Sequence, residues 1–96
     1  MRIELSADAN ADLRSIHAYT VKQHGQAQAT RYLTGLRARF DVIAANPRIG
    51  RFFPQATPET WRTPYRKHFV YYRVDCDILL IVRVLHQRML QQGRLT

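Results

Sequence analysis

Ninety-six residues with 46% hydrophobic content and only 4 Gly and 4 Pro form one domain, 1–96, with a single core, which excludes a disordered or multidomain chain. The net charge of +8 is uneven: residues 1–45 carry six Lys/Arg against four Asp/Glu, and residues 46–96 carry nine against three. A basic second half attracts polyanions or an acidic protein partner.

Arg2-Ile3-Glu4-Leu5 alternates polar and apolar residues and predicts a short half-buried strand. Ser6 is a helix N-cap, and Asp8 complements the helix dipole in the first turn. Ala9, Leu13, Ile16 and Thr20 follow at helical spacing, and Gly25 closes the segment with a left-handed cap. A second helix is predicted from about Gln26 to Ala45, with an apolar stripe of Ala29, Leu33, Leu36, Phe40 and Ile43. Pro47 stops it, because the residue before proline avoids the helical region. The short link at Gly25 predicts an antiparallel helical hairpin.

Arg48 to Pro58 reads as a loop, with Ile49, Phe52 and Phe53 expected to cap the core. Trp61–Tyr65 is a short strand that Pro64 assigns to an edge or a bulge. His68–Val74 is aromatic and β-branched, Asp75-Cys76-Asp77 is a tight turn, and the apolar run Ile78–Leu85 reads as a central strand covered on both faces. The fold class is therefore α+β, in the order β-α-α-β-β-β, with the helical hairpin packed on a small, mainly antiparallel sheet. The polar tail from Arg88 to Thr96 is expected to be flexible and ordered by a partner. No apolar run nears the ~20 residues that span a bilayer, Met1–Leu5 offers no secretory signal, and the lone Cys76 forms no internal disulfide. A cytoplasmic protein without membrane contact is expected.

The sequence carries no Gly-rich phosphate loop, no CxxC pair and no HExxH. His17, His24, His68 and His86 are scattered, and neither a metal nor a cofactor is expected. The few acids sit mostly on helix starts and turns, which disfavours a paired-carboxylate hydrolase. One constellation has chemical potential: Arg66, Lys67, Arg73, Arg83, His86 and Arg88 lie on the last strands and their ends. RNA cleavage by 2′-hydroxyl attack needs a base, an acid and cations that stabilise the developing charge. His86, with Arg73 and Arg83 as phosphate clamps, would supply these. The same residues would equally form a static basic patch.

Several stretches together resemble the ParE-type toxins of the ParE/RelE superfamily. Leu5-Ser6-Ala7-Asp8-Ala9-Asn10-Ala11-Asp12-Leu13 is similar to the family's opening strand and A-x-x-D-L helix, and Ala27–Leu33 to its second helix. Asn46-Pro47-Arg48-Ile49-Gly50-Arg51 resembles its hPRhGR loop, where h is apolar. Val70-Tyr71-Tyr72-Arg73-Val74 and Ile81-Val82-Arg83-Val84-Leu85-His86-Gln87-Arg88 resemble its hhYRh and hhRVLHxR strands.

The resemblance implies a type II toxin that poisons DNA gyrase by binding, with no catalytic residue. It implies a cognate ParD-like antitoxin that neutralises the toxin in a hetero-oligomer. Arg66, Lys67, Arg83, His86, Arg88 and Arg94 would meet the target. Leu13, Tyr19, Tyr32, Arg39, Trp61 and Tyr71 would meet the antitoxin. The alternatives are a RelE-like, ribosome-dependent mRNA endoribonuclease using His86, Arg73 and Arg83, and an inactive relic that binds only an antitoxin.

Overall fold

The computed structural model describes residues 1–88. Strand β1 (Arg2–Leu5) turns Ile3 and Leu5 inward, as the alternation requires. Ser6 then caps helix α1 (Ala7–His24), its hydroxyl accepting from the Ala9 N–H at 2.9 Å. Gly25, at φ 89°, closes α1 and opens helix α2 (Gln26–Ala45) without an intervening residue. Its positive φ is cheap only for glycine. The α2 stripe behaves as its spacing demands: Ala29, Leu36, Phe40 and Ile43 are buried, and Leu33 packs partly against the core.

Asn46 and Pro47 end α2, and the chain makes one 3-10 turn, Pro47–Ile49. The segment read as a loop then contributes a strand, β2 (Arg51–Phe53). Its residues are short of a core cap: Phe52 and Ile49 are exposed, Phe52 lying edge-on to Trp61 and Phe53 edge-on to Tyr71. Three residues between Gly50 and Pro54 are too few for periodicity to mark a strand; pairing with a neighbour makes it one.

Strands β3 (Thr60–Tyr65), β4 (His68–Asp75) and β5 (Ile78–His86) complete a five-stranded sheet in the order β1-β5-β4-β3-β2. Only the β1–β5 pair is parallel. Strand β3 is internal where β2 covers Thr60, Trp61 and Arg62, and becomes an edge beyond them. Pro64 sits in that uncovered part, and its carbonyl accepts from Arg39 of α2 at 3.2 Å. The sheet thus never asks Pro64 for the N–H it lacks.

Both helices pack on one face of the sheet. The core joins Ala9 and Leu13 of α1 and Leu36, Phe40 and Ile43 of α2 to Val70, Tyr72, Leu79, Ile81 and Val84. Burial of each larger apolar side chain contributes roughly 1.5–3 kcal/mol. The opposite face carries Tyr71, whose hydroxyl accepts from Arg62 at 3.3 Å, while the Arg62 guanidinium lies 4.2 Å from the Phe69 ring centre and 5.1 Å from that of Phe53. The β5 strand is therefore covered by helices on one face and only partly shielded on the other, against the expectation of cover on both.

Candidate functional site

Two pairs of the short sequence motifs prove to be partners in space. Beyond the Leu5–Ile81 pair, β1 ends and leaves the edge of β5 open. Helix α1 closes it. Ser6 Oγ donates to the Val82 carbonyl at 2.7 Å, and the Asp12 carboxylate accepts from the Val84 N–H at 2.9 Å and from Arg83 Nε and Nη2 at 2.9 and 2.8 Å. Asp12 raises the already high pKa of Arg83 by this hydrogen bonding, so the guanidinium is fixed in place and in charge. Likewise Tyr72 Oη donates to the Pro47 carbonyl at 2.7 Å and accepts from the Gly50 N–H at 2.9 Å, which pins the loop after α2 to β4.

The β4–β5 register shifts by one residue between Tyr71 and Tyr72. Tyr72 faces Ile81 but Tyr71 faces Arg83, so Val82 is the extra residue of a bulge. A one-residue slip reverses which face every later side chain takes. Here it sets His86 opposite His68, with ring centres 5.3 Å apart.

These two histidines form one wall of a cleft of about 760 Å³ between the helices and the end of the β3–β4 hairpin. Ile16, Tyr19 and Thr20 of α1, Arg31 and Tyr32 of α2, and Tyr65, Arg66 and Lys67 at the hairpin turn supply much of the rest. Arg66 takes φ 52° at the first position of this two-residue turn, a left-handed conformation that such tight turns demand. Burial raises the pKa of Tyr32, so its hydroxyl keeps its proton, and it lies 2.6 Å from His68 Nδ1. Burial, reinforced by His86, lowers the pKa of His68 to about 4, so this ring is neutral near pH 7. The tyrosine thereby engages Nδ1 of His68, with Nε2 as the other hydrogen-bonding nitrogen of the ring. His86 Nδ1 accepts from the Arg88 N–H at 3.1 Å. The cleft thus offers imidazole and hydroxyl groups, cations and aromatic surface.

The residues singled out from sequence fare unequally. Arg66, Lys67, His86 and Arg88 gather at one end of the molecule around the cleft and its rim. Arg83 is taken by Asp12, and Arg73 donates to Thr60 Oγ1 at 3.0 Å on the sheet face opposite the helices. His86, Arg73 and Arg83 do not converge. Leu13 and Tyr71 are buried and offer no surface, whereas Tyr19 is 65% exposed and Tyr32, Arg39 and Trp61 are half-buried. Arg94 and the tail after Arg88 lie outside the described residues. Among the described residues, no group of three or more His, Cys, Asp or Glu could hold a metal, and no helix is long and apolar enough to cross a membrane. Sequence reasoning missed His68 and Arg31 as cleft residues. Counting back from the Asp75–Ile78 turn pairs His68 with Leu85, and only the bulge at Val82 corrects the partner to His86.

The model of the family described as ParE toxin of type II toxin-antitoxin system, parDE, matches residues 3–91. Toxin ParE1 of Mycobacterium tuberculosis (strain CDC 1551 / Oshkosh) is 40% identical over 89 residues, covering 92% of this chain and 91% of the relative. Toxin ParE of Escherichia coli is 32% identical over 86 residues, covering 88% and 84%. A chain of the solved structure "Chromosomal ParDE TA system from P. aeruginosa" superposes with a TM-score of 0.77 at 18% identity, over 90% of this chain and 95% of that one. At that identity the likeness concerns the fold alone.

Proposed function

The chain belongs to the ParE toxin family of type II toxin–antitoxin systems, and on that premise we propose that it inhibits DNA gyrase by binding and is neutralised by a cognate antitoxin. The observation that favours binding over RNA cleavage is the fate of two arginines. Arg83 is held by Asp12 and Arg73 by Thr60 on the other side of the sheet, so the phosphate clamps a ribonuclease would need do not meet at His86. Arg66, Lys67 and Arg88, at the cleft end of the molecule, make no ion pair among the described residues, and these with His86 form the proposed target contact. Arg94 joins them on charge alone. The antitoxin contact is proposed at Tyr19, Tyr32, Arg39 and Trp61, without the buried Leu13 and Tyr71. A net charge of +8 suits an acidic antitoxin segment, and steers its encounter with the toxin.

The test is to incubate the antitoxin-free protein with gyrase and relaxed plasmid. The expected result is loss of ATP-dependent supercoiling with trapped cleaved DNA. The double variant Arg66→Glu, Lys67→Glu should need at least about tenfold more protein for the same inhibition, a difference of about 1.4 kcal/mol in binding. Full supercoiling in the presence of the folded wild-type protein would contradict the proposal.

A further inference from the structure

We infer that the cleft between the helices and the β3–β4 turn is a binding site for a phosphorylated nucleotide, with the phosphate at its cationic rim and the base against its tyrosines. This goes beyond inhibition of gyrase and does not depend on it.

Charge carries the first part of the argument. The residues around the cleft include Arg31, Arg66 and Lys67 and three histidines, His24, His68 and His86, and no carboxylate. None of the three cations makes an ion pair among the described residues. Asp12, the acid whose charge reaches His68, is itself occupied by Arg83. An anion entering here meets attraction without a competing internal partner.

Shape and surface carry the second part. A volume of about 760 Å³ lies within the roughly 300–1,000 Å³ range of small-molecule sites. Its walls are mostly apolar and flat-ringed: Tyr32 meets Tyr65 edge-on at 5.4 Å and His68 edge-on at 5.5 Å, and Tyr19 and Ile16 face the same space. Inorganic phosphate would satisfy the rim but leave those walls wet. A nucleobase fills them, and base–aromatic stacking contributes about 1–3 kcal/mol per base. The imidazoles of His68 and His86 add hydrogen-bonding nitrogens for phosphate or base groups.

The measurement is an amide-resolved NMR titration of the full-length, antitoxin-free chain with uridine 5′-monophosphate, adenosine 5′-monophosphate, uridine and inorganic phosphate. Each mononucleotide should bind at least tenfold tighter than uridine or phosphate, with shifts grouped at residues 15–32, 65–68 and 86. The double variant Arg66→Ala, Lys67→Ala should lose at least tenfold in nucleotide affinity. Tyr65→Leu should weaken nucleotide but leave phosphate unchanged; the dispersion of the same spectra reports whether either variant is folded. A 5′-phosphorylated dinucleotide that binds tighter at the same residues assigns the site to a single strand, and one that binds no tighter assigns it to free nucleotides. The proposal is overturned if mononucleotides bind no better than phosphate. It is equally overturned if the shifts fall on the opposite face at Arg51, Arg62 and Arg73, or if a hexaglutamate peptide matches the nucleotides at the cleft, because the site would then read charge alone.

Discussion

His68 is the residue whose surroundings set a measurable pH dependence. Its ring titrates near 6.5 when unfolded and near 4 when folded, because burial and the adjacent His86 disfavour its charge. The unfolded chain therefore binds the proton more readily. The stability this ring contributes is full above pH 6.5 and falls as pH drops through 4. Allowing for solvent screening of a partly exposed ring, the loss is about 1–2 kcal/mol. Thermal unfolding between pH 7 and 5, where carboxylates have hardly begun to titrate, should show a decline that His68→Gln flattens; an unchanged slope in the variant would contradict the assignment. Asp12 sets a second prediction at this scale. Asp12→Ala leaves the Arg83 guanidinium and the Val84 N–H without their acceptor, both part-buried. The expected cost is about 2–4 kcal/mol, read as a lower urea midpoint at unchanged slope. Arg83→Ala should likewise lower stability, so a loss of toxicity in that variant would report folding rather than target contact.

Elements differ in how far their residues announce them. Both helices were legible because five apolar positions on α2, and Ser6, Asp8 and Gly25 at the ends of α1, act within one turn of chain. β2 was not, because Arg51-Phe52-Phe53 has too few residues to show a period and is a strand only by pairing with Thr60–Arg62. The cleft was half legible. Arg66, Lys67 and His86 stand out by charge and position, but His68 joins them through a bulge at Val82 that no residue type there marks. The loop after α2 was recognisable as a motif, and its packing now supplies the reason. A Cβ on Gly50 would lie 2.8 Å from the Arg62 carbonyl and against the Tyr72 hydroxyl. Gly50→Ala should destabilise the protein by about 1–3 kcal/mol in chemical denaturation, because backbone stands in the way and cannot rotate aside. A neutral result would mean the loop is free to shift away from β4.

At the scale of the whole molecule, charge and placement converge. The excess of cations in the second half of the chain includes some spent on the fold, such as Arg83, and a group at the cleft end, Arg66, Lys67 and Arg88. The motifs that resemble the family are individually short, and they hold together because Asp12 reaches Arg83 and Tyr72 reaches Pro47 and Gly50. Target choice was not legible in the same way, since a basic patch beside His86 suits a protein, a DNA or an RNA partner equally. The most direct measurement therefore takes plasmid and RNA from the same culture at intervals after the protein is induced without antitoxin. Binding to gyrase predicts plasmid that loses negative supercoils and accumulates double-strand breaks while messenger RNA stays intact. Rapid cleavage of messenger RNA with plasmid supercoiling unchanged would contradict it.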